Sequence, residues 1–498
     1  MYCFNKYLNV LDNSQLNVVY NNSKYLLVVA GAGSGKTFTI VSKILYLINV
    51  KKILPSDILC ISFTNESVKS LKNKIGNERV DVMTFHKLGM KILQENNIAF
   101  EISSPDYLEY ITHEFFFGIT FENAYLMKNI MKYFKKKFIF FNISKKYKKF
   151  IYNNYNKIIS LEKLIDKFIR LLKTNNYSLE SFIGFKKRAK SKKEIVFLSL
   201  VINIYLIYIN ELESSMKIDF DDMLVKSRLV LDRGGIVNKY KYIIIDEYQD
   251  TSYIRYLLIN SIMKKTDASL IAVGDDFQSI YRFSGCDLKI FTQFNNYYKD
   301  ACVLKLENTY RNSIELVDVA GRFIMKDKNQ IIKNMKSKRS ISKPIKICYG
   351  FSLKQLIVNI KGNIMILGRN NNDINKYIDK GFVFDNHNLY IKDNSEMNIK
   401  YYTVHRSKGL EADNVIILNA VDDDLGFPNK IEDDSILKYV SVKSDYRYDE
   451  ERRLFYVALT RTRNNVYIMT SKNKESIFIK EILNDNKDNI EIIKNNRV

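Results

Sequence analysis

The chain has 498 residues, 46% of them hydrophobic, which excludes a disordered protein and leaves room for about three to five compact units. Its formal net charge of +23 favours a polyanionic partner such as nucleic acid, although a general lysine bias could leave part of this surplus as solvated surface. The five cysteines lack C-x-x-C spacing and the N-terminus lacks a secretory pattern, so neither a zinc knuckle nor a disulfide framework fits, and a reducing, cytoplasmic setting is expected.

Residues 1–90 alternate predicted strands and helices, as in a parallel sheet. The apolar strand Tyr25–Val29 precedes a glycine-rich loop and the amphipathic stretch Phe38–Leu47, and further strands are expected at Ile58–Phe63 and Val80–Thr84. In such a loop, glycines let backbone N–H groups face an anion, a lysine reaches the β- and γ-phosphates, and a hydroxyl is offered to Mg²⁺. The predicted phosphate loop consists of Ala30, Gly31, Ala32, Gly33, Ser34, Gly35, Lys36 and Thr37.

Residues 91–237 change to long stretches with helical spacing, such as Leu161–Leu172, and we expect a helical insertion in the first α/β core. Within it, Lys128–Lys157 contains ten lysines and nine Phe or Tyr residues without an acid. These residues can follow a phosphate backbone and stack on bases, or they can form helices with exposed lysines over an aromatic core, and both interpretations stay open. The apolar run Ile195–Ile209 is shorter than the roughly 20 residues of a membrane span, so a buried helix is expected.

The α/β pattern resumes with the apolar strand Tyr242–Ile245, which leads directly into Asp246 and Glu247. Acids at the carboxyl end of a buried strand lie where open α/β sheets bind ligands. There Asp246 can hold Mg²⁺ and Glu247 can polarise an attacking water. Together with the phosphate loop, this pair predicts hydrolysis of a nucleoside triphosphate.

A second α/β set follows a further strand at Leu270–Val273. Within this set, two segments are polar and turn-rich, and we predict loops at Asp385–Asn398 and Asp422–Asp434. The predicted organisation is a first domain of residues 1–90 and 238–305, an insertion of residues 91–237 and a second domain of residues 306–498. The strands predicted for the second set are Cys302–Leu306, Ile345–Cys348, Ile364–Leu367, Lys400–Val404, Val415–Leu418 and Val466–Thr470.

Nine segments occur in the order typical of one family. They are LDNSQLNVV, AGAGSGKT, SFTNESVKSL, TFHKLG, IIIDEYQDT, VGDDFQSIYRFSGC, LENTYRNS, YTVHRSKGLEADNVIIL and DEERRLFYVALTRTR. This set resembles the superfamily 1 DNA helicases of the UvrD/Rep/PcrA group, and GDDFQSIYRFSG is most similar to their helicase IV branch. The resemblance implies an α/β fold of two RecA-like P-loop domains in tandem with a helical insertion in the first. A large mobile subdomain of some members has little room here and is expected to be vestigial or missing around residues 379–400.

The resemblance also implies ATP and Mg²⁺ as cofactors and assigns residues to the nucleotide site. Arg311 and Arg461 match arginine fingers on the departing γ-phosphate, for which a forked, permanently charged donor is suited, and Gln278 matches the residue that senses this phosphate. Phe38 stands where UvrD-like members have a base-stacking arginine. Contacts with the adenine or ribose are implied for Gln15, Tyr310 and Glu411.

The resemblance further implies a track for single-stranded DNA and its junctions with duplex, with 3′→5′ travel and no membrane. Aromatic stacking on bases tolerates any sequence, as a motor requires. The matching positions are Phe63, Thr64, Asn65, Thr84, His86, Tyr281, Phe283 and His405.

Three alternatives to an ATP-dependent helicase stay open. The chain could be a translocase that displaces proteins without unwinding duplex, a helicase subunit beside a separate nuclease or repair protein, or a regulatory binding module with an inactive ATPase. The presence of Lys36, Glu247, Arg311 and Arg461 argues against the last.

Overall fold

The computed structural model describes residues 9–136, 143–378, 382–385, 387–391, 398–441 and 446–495. Two sheets lie in this part of the chain, one of six strands and one of eight. We call each sheet with its helices a lobe. Two pairs of two-residue strands lie outside the sheets, Glu101–Ile102 with Lys217–Ile218 and Asn308–Thr309 with Lys336–Ser337.

The first sheet is wholly parallel and runs in the order β3-β2-β4-β5-β1-β6. Alternate residues of its strands enter two different cores, so that Leu27 and Val29 pack on one face while Leu26 and Val28 pack on the other. The strands are β1 (Tyr25–Ala30), β2 (Ile58–Ile61), β3 (Asp81–Met83), β4 (Tyr242–Ile245), β5 (Ser269–Gly274) and β6 (Cys302–Leu306).

Short polar side chains fix the beginnings of the helices in this lobe. Asp12 forms a capping box with Gln15, and the hydroxyls of Thr64 and Thr84 accept hydrogen bonds from backbone N–H groups in the first turns of their helices. The helices that precede the insertion are α1 (Asn13–Tyr20), α2 (Lys36–Asn49), α3 (Asn65–Ile75) and α4 (Phe85–Glu95).

The insertion is helical, as expected, and has an apolar core of its own. In α7, Tyr147 and Phe150 are buried in that core, while the lysines between and before them are exposed. The run Ile195–Ile209 falls inside α10, which is long and apolar enough to cross a membrane by length and composition, and half of its most apolar stretch is buried within the protein. The helices are α5 (Tyr107–Phe117), α6 (Ala124–Tyr133), α7 (Ile143–Asn153), α8 (Tyr155–Thr174), α9 (Ser181–Arg188), α10 (Lys192–Ser214) and α11 (Phe220–Asp232).

The insertion core also receives residues from far along the chain. Ile436, Leu437, Tyr439 and Val440 are buried in the same cluster as the insertion helices. The Tyr439 hydroxyl donates to Glu194 on α10 at 2.7 Å. This segment, residues 433–441, is named the arm, and it fastens the insertion to the second half of the chain.

The second sheet runs in the order β9-β10-β11-β8-β12-β13-β7-β14 and is parallel except at the β9–β10 and β10–β11 pairs. Its strands are β7 (Ile345–Tyr349), β8 (Ile364–Gly368), β9 (Phe382–Asp385), β10 (Asn388–Ile391), β11 (Ile399–Thr403), β12 (Ala412–Ile417), β13 (Thr462–Thr470) and β14 (Ile490–Lys494). The remaining helices are α12 (Tyr253–Thr266) in the first lobe, α13 (Ile314–Ile324), α14 (Asp449–Leu459) and α15 (Ile477–Asp485) in the second, and the short helices Lys289–Thr292, Phe294–Tyr297 and Leu353–Ile357.

Two sequence predictions about strands are wrong. The strand Cys302–Leu306 does not open the second set, because it pairs in parallel with β1 at the edge of the first sheet. The predicted loop Asp385–Asn398 contains β10, which forms an antiparallel hairpin with β9. The expected remnant of a subdomain around 379–400 falls partly outside the described residues, and the described part of that range is this hairpin and the start of β11.

Candidate active site

The predicted phosphate loop connects β1 to α2 and lies against the second lobe. Gly33 and Gly35 adopt φ angles of +72° and +77°, a region that side chains with a Cβ rarely enter. A Cβ at Gly33 would lie 2.6 Å from the Cβ of Arg311, and the Gly33 carbonyl accepts a hydrogen bond from the Tyr310 N–H at 3.0 Å. Glycine at position 33 therefore permits both the turn and the close approach of the second lobe.

The rest of the loop is also enclosed. The Ser34 hydroxyl is buried and has no hydrogen-bond partner within the described chain, as expected of a polar atom placed for a ligand. Ala32 is buried in the apolar core of the second lobe, and the Met335 side chain covers Gly31 so closely that a Cβ there would lie 2.2 Å from its sulfur.

Glu247 and Asp246 lie at the carboxyl end of β4, facing the loop lysine. The Lys36 ammonium is 3.2 Å from a Glu247 carboxylate oxygen, and the Gln249 amide donates to Glu247 at 2.6 Å. Burial opposes ionisation of Glu247, but Lys36 and Lys408 outweigh it and lower its pKa to about 2. Burial and the adjacent Glu247 charge raise the pKa of Asp246 to about 7.

Asp246 and Thr37, in the first turn of α2, are the residues available for a magnesium ion. Among the described residues, no group of three His, Cys, Asp or Glu side chains is arranged to hold a metal. Magnesium at nucleotide sites usually takes one or two protein oxygens and completes its shell with phosphates and water. The buried Asp246 carboxylate, whose pKa is raised, fits that donor set, because a cation would relieve the cost of its charge.

Two arginines of the second lobe lie at the contact between the lobes. We call this contact, where Ala32, Phe277 and Ile280 of the first lobe pack into the core of the second, the seam. The Arg461 side chain is fully buried, and its Nη2 donates to Gln278 Oε1 in the first lobe at 2.9 Å. Arg311 Nε donates to Glu411 at 2.6 Å. Burial, together with the nearby charge of Arg311, lowers the pKa of Arg461 to about 9. The structure thus places Arg311 against Gly33 of the phosphate loop and joins Arg461 to Gln278 across the seam.

Two residues predicted to contact adenine, Gln15 and Tyr310, lie beside Gly35 of the loop. Gln15 donates to the Ser34 carbonyl at 3.1 Å, and Tyr310, half exposed, donates to Asp12 at 2.6 Å. Phe38 is partly buried on a small apolar cluster that contains Leu11. Gln15 and Tyr310 therefore lie together at the loop, whereas Phe38 packs against the apolar cluster of α1 and α2.

The predicted DNA residues form two groups. Phe63 lies 5.7 Å from the ring of Phe85 under the guanidinium of Arg255, and His86 lies 5.1 Å from the ring of Phe220. Thr64 and Thr84 cap α3 and α4, and Asn65 is the exposed first residue of α3.

The second group of predicted DNA residues contains side chains from both lobes, which meet at the seam. Phe283 is half exposed, and its ring lies 5.6 Å from that of His405. The Tyr281 hydroxyl donates to the His405 carbonyl at 3.2 Å. Burial, reinforced by Arg369 and Lys408, lowers the pKa of His405 to about 4, so this ring is neutral near pH 7. An aromatic surface shared by both lobes suits the binding of bases.

Sequence reasoning missed Lys408 and Lys333. Lys408 donates to the buried Asp250 carboxylate and, at 2.7 Å, to the Gln278 carbonyl. It lies in the quoted segment YTVHRSKGLEADNVIIL, so its motif could have signalled it. Lys333 lies in an ordinary Lys- and Asn-rich stretch that carries no such signal.

A phosphate loop opposed by an acid pair and by arginines from a second α/β lobe defines the class of two-lobed P-loop motor ATPases. Comparison with known families narrows this class. A family model described as UvrD/REP helicase N-terminal domain matches residues 11–299, and one described as UvrD-like helicase C-terminal domain matches residues 385–473. The chain therefore belongs to the UvrD/REP family of DNA helicases, whose members use ATP.

Individual relatives agree with this placement. DNA helicase IV of Escherichia coli (strain K12) is 26% identical over 95% of this chain and 70% of its own length. ATP-dependent DNA helicase PcrA of Bacillus subtilis (strain 168) is 28% identical over 67% of this chain, and a probable DNA helicase II homolog of Mycoplasma capricolum is 30% identical over a similar share. The chain spans less than half the length of the latter two relatives, 42% and 44%.

Proposed function

We propose that the chain is an ATP-driven motor that travels 3′→5′ along single-stranded DNA and unwinds duplex at junctions. The observation that carries this proposal is the contact across the seam, where Arg461 of the second lobe reaches Gln278 of the first lobe beside the phosphate loop. Groups from both lobes at one nucleotide site make closure of the seam depend on the nucleotide.

In this proposal each polar group at the seam has one task. Lys36 and the loop N–H groups bind the phosphates, Glu247 orients and polarises the attacking water, and Arg311 and Arg461 stabilise charge on the departing phosphoryl group. The low pKa of Glu247 keeps it ionised at neutral pH, as a group that accepts from water must be. Magnesium, held by Thr37 and Asp246, would neutralise phosphate charge when bound.

The aromatic groups provide the proposed track. Phe63 and His86 lie on the first lobe, whereas Tyr281 and Phe283 meet His405 across the seam. A change in the contact between the lobes therefore changes the position of the second group relative to the first. This supports a mechanism in which the two groups bind bases alternately as the protein steps along the strand. We also propose a reducing, cytoplasmic setting, because the four described cysteines are free thiols and three of them are buried.

The test compares ATP turnover with and without single-stranded DNA, next to strand displacement on duplexes with 3′ or 5′ overhangs. We expect DNA-stimulated turnover and displacement only with the 3′ overhang. Stimulated turnover without displacement would favour a translocase that displaces proteins, and absence of turnover would favour a binding module. Displacement only from the 5′ overhang would reject the proposed polarity.

Two variants test the roles at the nucleotide. Lys36→Ala removes the phosphate ligand and Glu247→Gln removes the acceptor for water, so each should lower turnover by at least about 100-fold while DNA affinity stays within about threefold. Lys69→Ala, an exposed lysine on α3, is the matched control for the first variant. A Glu247→Gln protein that hydrolyses ATP normally would contradict the assigned role.

A further inference from the structure

Lys333 is a buried lysine on the segment between α13 and β7, and its ammonium contacts first-lobe groups next to the phosphate loop. It follows α13, whose apolar residues belong to the core of the second lobe. Its side chain is 0% exposed, and its ammonium lies 2.5 Å from an Asp275 oxygen and 2.6 Å from an Asp276 oxygen, both at the end of β5 in the first lobe. It also donates to the Ala30 carbonyl at 3.3 Å.

These three acceptors use all three donors of the ammonium group. The Lys333 Nζ also lies 3.4 Å from the centre of the Phe277 ring. A buried charge with every donor satisfied holds its partners in one geometry, since movement would leave a carboxylate or an ammonium buried without a partner.

The network continues from Asp275 to the γ-phosphate side of the site. Its second carboxylate oxygen accepts a hydrogen bond from the Gln278 amide at 2.6 Å. The other end of the same amide accepts from Arg461 at 2.9 Å. Because a glutamine amide has one donating and one accepting end, Asp275 determines which end faces Arg461.

The same segment makes two further contacts, one with Asp276 and one with the phosphate loop. The Ile331 N–H donates to Asp276 at 2.7 Å, and Met335 covers Gly31, the residue after Ala30. The segment that follows α13 therefore contacts both the start of the phosphate loop, at Ala30 and Gly31, and the Asp275 carboxylate that bonds to Gln278.

We propose that Lys333 is a positioning residue for ATP hydrolysis, which acts through Asp275 to orient Gln278 toward Arg461. This inference rests on the proposed function, because it assigns Lys333 a part in the same reaction. It predicts a loss in the rate of hydrolysis rather than in nucleotide binding, since the hydrogen bonds from Lys333 lead through Asp275 to Gln278 and Arg461.

The test measures kcat and KM for ATP at saturating single-stranded DNA. Lys333→Met should lower kcat by at least about 10-fold and change KM by less than about threefold. Lys338→Met, an exposed lysine on the same segment, is the control and should leave both constants unchanged. An unchanged kcat in Lys333→Met would overturn the proposal.

A double-mutant cycle separates this role from a merely structural one. In a Gln278→Ala background, Lys333→Met should lower kcat by less than about threefold, because the residue through which it acts is already absent. A full additional 10-fold loss in that background would overturn the proposal. Absence of turnover in the unmodified chain and in Lys338→Met would instead reject the proposed function on which this inference rests.

A second variant distinguishes a loss of positioning from misfolding caused by the unpaired buried carboxylates. Lys333→Met combined with Asp276→Asn keeps the net charge of the buried cluster while still depriving Asp275 of its cation. We expect this protein to fold, as judged by circular dichroism, and to keep the kcat defect. Restored turnover would mean that Lys333 only balances charge, and would overturn the proposal.

Discussion

Arg461 combines full burial with a hydrogen bond across the seam, so its effect on catalysis should depend on the shape of its side chain. Lysine keeps the charge but lacks the forked donors that could bond to Gln278 and, in the proposed mechanism, to the departing phosphate together. Arg461→Lys should therefore lower DNA-stimulated turnover by about 100-fold, measured as steady-state ATP hydrolysis. Arg322→Lys, on an exposed position of α13, should have no effect. Wild-type turnover in Arg461→Lys would contradict its role.

His86 and His405 make stability depend on pH. Burial, with Arg255 near His86 and Arg369 near His405, lowers the pKa of both imidazoles to about 4, whereas the unfolded chain has an ordinary pKa of about 6.5. Between about pH 4 and pH 6.5 the two imidazoles are protonated in the unfolded chain but neutral in the folded chain. The two histidines therefore make the folded state less stable as pH falls from about 6.5 to about 4.

Removing both imidazoles should flatten this dependence. His86→Gln combined with His405→Gln should reduce the loss of unfolding free energy between pH 7 and pH 5 by on the order of 1 kcal/mol per histidine, measured by urea denaturation without DNA. His113→Gln, at a more exposed histidine, is the control. An unchanged pH slope in the double variant would show that neither ring is buried as described.

The motif residues could be predicted because glycine loops and strand-end acids carry their chemistry in adjacent positions. Lys36 and Glu247 were both identified in this way and meet at 3.2 Å. Lys333 could not be predicted, because its burial depends on carboxylates 57 and 58 positions away that only the tertiary fold brings near. A lysine in a Lys- and Asn-rich stretch is otherwise expected to be exposed.

At the scale of elements, apolar runs located eleven of the fourteen described strands of the two sheets to within four residues at each end, but they missed β9, β10 and β14 and did not identify which strands are neighbours. Tyr242–Ile245 was predicted with the bounds that the structure gives. Cys302–Leu306 was also bounded correctly and yet assigned to the wrong sheet, because a parallel partner lies far away in sequence. The β9–β10 hairpin was missed because polar turn residues outweigh its short strands.

The packing of the arm on the insertion was not predicted from the sequence. Its apolar residues complete the insertion core, although the chain between them and the insertion passes through both lobes. Asn175 donates to the Val440 carbonyl at 2.9 Å, and Lys438 forms an ion pair with Glu194 at 2.9 Å. The insertion is thus connected to the first lobe by the chain and to the second by this packing.

Weakening the arm should destabilise the insertion. Leu437→Ala combined with Tyr439→Ala removes two buried side chains, and deletions of this kind cost about 2–5 kcal/mol each. Urea denaturation should show a lower midpoint, and hydrogen exchange should increase in α9 and α10. Ile431→Ala, at a side chain 66% exposed just before the arm, should leave both unchanged. Unaltered exchange in the double variant would refute the fastening role.

At the scale of the whole molecule, the two lobes pack against each other at the seam. Ala32, Phe277 and Ile280 of the first lobe are buried in the apolar core of the second. Arg453 of the second lobe donates to the Ser279 carbonyl at 2.6 Å. Opening of the seam must break these contacts, so nucleotide and DNA binding would shift an equilibrium between packed arrangements.

The positive charge of the molecule raises the question of which lysines contact DNA. On α7, Lys145, Lys146, Lys148 and Lys149 are exposed, and Tyr152 on the same helix is 84% exposed. This arrangement provides a face where phosphates could bind next to a ring available for stacking. The same exposure is expected of lysines that only keep a helix soluble. A measurement therefore has to distinguish DNA contact from solvation of these lysines.

Salt dependence distinguishes them, because each phosphate contact releases counterions on binding. If the four lysines contact a single strand, their replacement by glutamine should reduce the slope of log K against log salt concentration by about 0.7 per contact, up to about 3 in total. The control replaces four exposed lysines of the second lobe, Lys472, Lys474, Lys480 and Lys487. It removes the same positive charge and so accounts for the long-range electrostatic attraction of DNA to the whole protein. A slope lowered only in the α7 variant would place DNA on the insertion, whereas equal slopes in both variants would assign the α7 lysines to solvent.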